Sequence, residues 1–428
     1  MAIKLRKLFL LPLAFMLCVG CSTSNNNQNK ESNSNNPNEQ EEIKRTMHDE
    51  PVYKEIDAIP FEKSCWDAPQ YFFDETLDNQ GCKAVFIRSD YNQQESYAFA
   101  YLGLPEGPLE NKPAILLVHG GGGSAYYEWV NAWVNKGYVA LAIDLEGHIP
   151  NKNGTIGDGP ANLYHNSTYL APHNQNLGDE NEDITLTWLH YACRTCIIAN
   201  SFLHHYAGID SYKIGVCGVS WGGYITSIIS GYDDRFAFAI PYYCTNDMLN
   251  DTTPIRTYLE SHRSFEIFDN PEPLKYVDTP FFYIGSNSDQ YSNIKSAPET
   301  VAKMKNGYIS IIDRFLHSHA EALNRIEAFV FADNVLANKE KLILKFVDQN
   351  NLSITIPQSR KLIEGSIYYT LDEEVNKDTK WRTTSLGIDN ISTNQIIKTT
   401  IRDGALFYYA SVIDEKGAVY TTKIEKII

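Results

Sequence analysis

The sequence predicts an α/β fold, a mostly parallel sheet flanked by helices, with a small C-terminal β-sandwich domain. Three observations point there. Ala114–Val118 and Val139–Ile143 are unbroken apolar runs separated by a helical pattern carrying Trp129, Val130 and Trp133, as expected of strands covered on both faces. A strand, a glycine-rich corner and a buried helix succeed one another between Tyr212 and Gly231. From about Lys339 the helical periodicity stops and short strand-like runs take over.

Length and composition set the frame. A chain of 428 residues exceeds one comfortable core, so two domains are expected. The formal charge of −16 argues against nucleic acid or an anionic membrane surface as the main partner. Met1–Gly20 reads as a secretion signal. Lys4, Arg6 and Lys7 precede a short apolar core, Leu8–Val19, which is too short to span a bilayer comfortably. Leu17-Cys18-Val19-Gly20-Cys21 resembles a bacterial lipobox, with Cys18 an unusual residue in it. Cleavage before Cys21 would make that residue the lipidated N-terminus. Ser22 after it implies, by the same resemblance, an outer-membrane lipoprotein in the cell envelope. The alternative is an ordinary cleaved signal and a soluble product. Ser22–Arg45 is Asn, Ser, Gln and Glu with almost no apolar side chain, so it reads as a disordered tether. The expected divisions are therefore 1–21 signal, 22–45 tether, 46–338 the α/β domain and 339–428 the sandwich.

Six further cysteines follow. Export permits disulfides, and Cys65 and Cys82, flanking a loop-like stretch, are a candidate pair. Cys193 and Cys196 share the apolar face of a helix and read as core filling. The cysteine spacing does not support a zinc site.

Ala84–Ile87 and Tyr97–Tyr101 are candidate antiparallel strands. Asn151–Asp183 is long, polar and rich in Gly, Asn and Pro. A loop of that length is usually functional, and it reads as a cap with Tyr164, His165, Tyr169 and His173 as rim contacts, or as a plain surface insertion. Strands follow at Phe236–Ile240, Pro280–Gly285 and Tyr308–Ile312, then a helix at Glu321–Ala337. In the last part, strands are expected at 342–347, 366–371, 395–401, 406–413 and 418–424. Asp414-Glu415-Lys416-Gly417 is a hairpin turn signal, and the even spacing of strands suggests an immunoglobulin- or fibronectin-like sandwich.

The chemistry centres on Gly218-Val219-Ser220-Trp221-Gly222. In a G-x-S-x-G elbow the serine sits on a strained strand-to-helix corner with its hydroxyl exposed, and only glycine lets the neighbouring backbone pass so close. A serine hydroxyl is a weak nucleophile until a base takes its proton and an acid orients the base. Asp289 falls just past the strand ending at Gly285. His317 and His319 fall just past the strand ending at Ile312. The expected triad is Ser220, Asp289 and His317, with His319 the rival base and Asp247 the rival acid. His119-Gly120-Gly121-Gly122 follows an early strand, where an oxyanion N–H is supplied. Gly121 and Trp221 are the expected donors, with Gly122 an alternative, while His119 is expected to fix the loop. Asp144 is expected to cap a turn. This chemistry calls for no metal or organic cofactor.

These residues resemble a known family. Pro113–Gly123, Glu128-Trp129-Val130, Gly137-Tyr138, Ala142-Ile143-Asp144, Ile214–Tyr224 and Asp234-Arg235-Phe236 are similar to bacterial secreted esterases of the acetyl xylan esterase, dienelactone hydrolase and prolyl-oligopeptidase-like branch of α/β-hydrolases. The resemblance spans about Ser64 to Leu336. It departs at Gly285-Ser286-Asn287-Ser288-Asp289, where many relatives carry Gly-Thr-Asn-Asp, and at Arg314-Phe315-Leu316-His317. What it implies is an α/β-hydrolase fold and a lipid-anchored serine esterase that deacetylates a polysaccharide or oligosaccharide through an acyl-enzyme. The alternatives are a prolyl-oligopeptidase-like serine peptidase and a non-catalytic glycan-binding lipoprotein.

Overall fold

A computed structural model describes residues 46–53, 61–151, 162, 164, 183–253, 256–339, 341–357, 360–388 and 395–427. The expected signal, Cys21, the tether and the rim residues His165, Tyr169 and His173 lie outside them.

Nine strands form one sheet: β1 (Tyr71–Phe73), β2 (Lys83–Arg88), β3 (Tyr97–Gly103), β4 (Lys112–Val118), β5 (Val139–Ile143), β6 (Ile209–Val219), β7 (Phe238–Tyr242), β8 (Phe281–Ser286) and β9 (Gly307–Ile312). Their order is β1-β2-β3-β5-β4-β6-β7-β8-β9. The first three strands run antiparallel, and β3 meets β5 antiparallel. From β5 across to β9 all pairs are parallel. The antiparallel β3 beside the β5/β4 exchange, followed by the parallel run, is the α/β-hydrolase arrangement. Every residue of β5 and β7 is buried, which explains why these strands read as unbroken apolar runs rather than alternating ones.

Helices α1 (Tyr127–Val134), α2 (Trp188–His205) and α3 (Trp221–Ser230) pack on the sheet. Helix α2 is N-capped by Thr187, whose hydroxyl accepts the His190 N–H. Its inner face buries Cys193 and Cys196 as separate thiols. Cys65 and Cys82 are also free and buried: Cys65 donates to Glu62 and Cys82 faces Tyr127 and Asn131. They do not pair: the structure holds each as a free thiol with different neighbours.

Element ends shift from the sequence reading in a physically consistent way. The expected strand at Phe236 starts two residues later, since Asp233 and Arg235 form a buried ion pair (2.7 Å) that anchors the preceding turn. The expected helix Glu321–Ala337 is two helices, His319–Ala322 and Ile326–Leu336, broken where Arg325 adopts an extended conformation.

The C-terminal part forms two antiparallel sheets. One is β10 (Ile343–Asp348), β11 (Asn351–Thr355) and β14 (Gln395–Lys398). The other is built on β12 (Leu362–Thr370), β13 (Arg382–Ser385), β15 (Phe407–Asp414) and β16 (Val419–Thr421). Phe346 packs edge-on against Tyr408 between them. The second sheet covers the β9 edge: Ile311 N donates to Thr421 Oγ1 (3.1 Å), and Phe282 stacks on Tyr420.

Candidate active site

The elbow is set by sterics. Ser220 sits at φ 58°, ψ −118°, a conformation L-residues adopt only when their surroundings over-determine it. Two glycines make that corner passable. A Cβ on Gly218 would stand 2.0 Å from the Gly222 carbonyl oxygen, and one on Gly222 would stand 2.0 Å from the Val118 oxygen. The Ser220 N–H donates to the Tyr242 carbonyl (3.1 Å). Its side chain is thereby left at the head of α3.

The structure brings Ser220, His317 and Asp289 into one line. Ser220 Oγ lies 2.8 Å from His317 Nε2, and His317 Nδ1 lies 2.6 Å from Asp289 Oδ2. Asp289 has a second task. Its Oδ1 accepts the Tyr291 and Ser292 N–H groups (2.8 and 3.3 Å) and so turns the loop that carries it. With the Asp289 carboxylate accepting the hydrogen bond from Nδ1–H, Nε2 carries the imidazole lone pair that faces the serine.

His319 does something different. Its Nε2 accepts the Gly120 N–H (2.9 Å), and its ring lies against Tyr126 and Trp129. Burial pushes its pKa down to about 3, so it stays neutral. Asp247 is likewise spent elsewhere: its carboxylate accepts from Asn250 Nδ2 and Thr300 Oγ1.

The glycine loop after β4 is pinned at every position but one. His119 Nδ1 donates to the Gly120 carbonyl (2.7 Å) while its Nε2 accepts the Leu145 N–H (2.9 Å). Burial holds His119 down to about 4, again neutral. Gly120 N–H goes to His319 and Gly122 N–H to Glu146 Oε1 (2.9 Å). The Gly123 N–H closes back on the Gly120 carbonyl. Among the described residues, Gly121 N–H and Trp221 N–H have no protein acceptor, and both residues line the pocket that contains Ser220 and His317. Gly122 is thus unavailable for an oxyanion, because its donor is already engaged. Asp144 supports this floor by accepting the Glu146 and His148 N–H groups, and burial raises its pKa to about 7.

The pocket is a cavity of about 330 Å³ with mainly apolar walls: Trp221, Tyr224, Met248, Leu259, Phe265 and Tyr291. One wall is tied down by Asp269, which accepts from Tyr224 Oη (3.0 Å) and from the Met248 and Leu249 N–H groups. Tyr164 does not line it; its ring packs on Phe72 and Phe86. Among the described residues no group of three or more His, Cys, Asp or Glu side chains is placed to hold a metal ion. No helix among them is long and apolar enough to cross a membrane.

No family model and no curated protein matches the chain. Solved structures do resemble it. An acetyl xylan esterase from a Paenibacillus species is 16% identical with a TM-score of 0.46, over 62% of this chain and 88% of that one. Acetyl xylan esterase 1 from a Thermoanaerobacterium species is 12% identical with a TM-score of 0.47, over the same shares. An acylaminoacyl peptidase from Pyrococcus horikoshii is 19% identical with a TM-score of 0.45, over 61% of this chain and 43% of that one. These are likenesses of fold and say nothing about substrate.

Two contributors were not visible in the sequence reading. Tyr243 lies flat against the His317 ring (centroids 4.3 Å apart), and its hydroxyl donates to the Leu316 carbonyl (2.7 Å). It holds the imidazole from behind, and its own φ of 70° is the one local irregularity that marks it. Glu146 anchors Gly122 from a turn 24 residues away, with no motif to announce it.

Proposed function

We propose that the chain is a serine esterase acting on an acylated carbohydrate, with acetyl the acyl group removed. The observation that carries this is the continuous hydrogen-bonded line from Asp289 through His317 to Ser220, opening on a pocket with two unengaged backbone N–H groups. Ser220 Oγ attacks the ester carbonyl carbon as His317 Nε2 takes its proton. The carbonyl electrons move onto oxygen, where the Gly121 and Trp221 N–H groups receive the charge. Collapse expels the alcohol, which takes the proton back from His317, and leaves Ser220 acylated. Water, deprotonated by the same nitrogen, attacks the acyl carbon, and the acid leaves as His317 returns that proton to Ser220 Oγ. Removing one oxyanion donor from such a site costs about 3 kcal/mol of transition-state stabilisation.

The aromatic rings of Trp221, Tyr224, Phe265 and Tyr291 support a sugar-bearing substrate, since flat apolar surfaces suit the C–H face of a pyranose. Anchoring by a lipid on Cys21 is part of the same proposal, supported by the signal and lipobox pattern. The test is release of acetate from acetylated oligosaccharides, run beside a Pro-containing peptide. Acetate release with an untouched peptide is expected. Peptide cleavage without acetate release would overturn the esterase reading.

A further inference from the structure

Asn287 is where three segments of the chain meet. It lies two residues before Asp289 and is fully buried. Its Nδ2 donates to Asp313 Oδ1 and to Tyr409 Oη, both at 3.0 Å. Its Oδ1 accepts the Arg314 N–H (3.0 Å), and its carbonyl accepts Trp381 Nε1–H (3.1 Å). Its own N–H donates to the Ile312 carbonyl. Asp313 and Arg314 open the loop that carries His317, and Arg314 turns it at φ 50°. Tyr409 and Trp381 belong to the C-terminal sandwich. Both side-chain donors and the side-chain acceptor of this one amide are therefore used, and with its carbonyl it joins the acid loop, the base loop and the C-terminal sheets.

The sandwich side of the junction is tightly packed. Tyr409 is buried, stacked on Tyr368 (4.7 Å, 6° between planes) and met edge-on by Trp381 (5.0 Å). The hydrolase side needs such a support. Asp289 and His317 sit on loops leaving β8 and β9, and β9 is the last strand of its sheet. A terminal strand has no neighbour on its far side to fix the loop beyond it, and here the sandwich takes that place.

We propose that the C-terminal sandwich is a positioning part of the active site, with Tyr409 and Trp381 acting through Asn287 to set the Asp289 and His317 loops relative to Ser220. This rests on the serine-hydrolase reading above. Neither Tyr409 nor Trp381 touches the reacting atoms; they fix the residues that do. A small misplacement of such groups is enough to matter, since ~1 Å can cost ~100-fold in rate.

The experiment uses the full chain with Tyr409→Phe, which removes one hydrogen bond and keeps the ring, and Trp381→Phe, which removes the indole N–H bond while leaving a smaller aromatic ring in its place. Ile354→Ala, buried in the other C-terminal sheet, loosens the sandwich without touching Asn287. Turnover of a small acetyl ester, KM, fluorophosphonate labelling of Ser220 and Tm are read for each. Tyr409→Phe and Trp381→Phe are expected to lower kcat and labelling by roughly 3- to 30-fold with KM unchanged. Ile354→Ala is expected to lower Tm with kcat at the wild-type value. Wild-type kcat in both ring variants overturns the proposal. So does a rise in KM on oligosaccharide alone, which would make the sandwich a glycan-binding module. A wild-type chain that neither turns over the ester nor labels defeats the serine-hydrolase reading itself, a distinct outcome.

Discussion

The two halves of the site are built in opposite ways. The nucleophile half is local. A single stretch, β6 to α3, supplies Ser220, its strain and the Trp221 N–H, and the two glycines that allow the corner lie within two residues of it. The acid–base half is assembled. Asp289 and His317 are 28 residues apart, on loops held by Tyr243, Asn287 and two residues of the C-terminal sandwich. A local device is specified by few residues and fails by collapse of the backbone. An assembled one is specified by many and fails by loss of alignment.

That contrast can be broken from either side. The larger kinetic effect is expected from Asp289→Asn. The amide preserves the turn that Oδ1 makes with Tyr291 and Ser292 but loses the carboxylate that fixes the His317 tautomer. A fall in kcat of about 10⁴-fold is expected, with Tm little changed. Steady-state kinetics alongside thermal melts check it, and a variant that keeps its turnover would remove Asp289 from the line. Gly218→Ala tests the local half. The added methyl would meet the Gly222 carbonyl, which is backbone and cannot swing away. The variant is expected to lose about 4 kcal/mol or more of stability, or not to fold at all. A soluble, folded Gly218→Ala protein with only its rate reduced would show the corner to be less constrained than the local picture requires.

The same division decides what could be read from the sequence. The elbow, the buried parallel strands and the order Ser, Asp, His are legible because each depends on neighbours in the chain. The choice between His317 and His319 is not, since both stand on one loop and only the fold turns one to Ser220 and the other to Gly120. Asn287 lay inside a stretch that departs from the family pattern, yet its partners are 25 to 122 residues away, and no periodicity encodes them. Strand β13, Arg-Thr-Thr-Ser, is exposed throughout and so lacks the apolar alternation by which strands are found. The free thiols of Cys65 and Cys82 show that flanking one loop-like stretch of sequence does not fix a pairing; proximity does.

The most direct measurement is the rate at which a fluorophosphonate labels Ser220, located by mass spectrometry, in the wild type, His317→Ala and His319→Gln. A single adduct on Ser220 is expected in the wild type. Replacing His317 should slow it by about a thousandfold or more, as loss of a serine's only base does. His319→Gln keeps an acceptor for the Gly120 N–H and should label within about tenfold of the wild type. Labelling that survives in His317→Ala but disappears in His319→Gln would contradict the account.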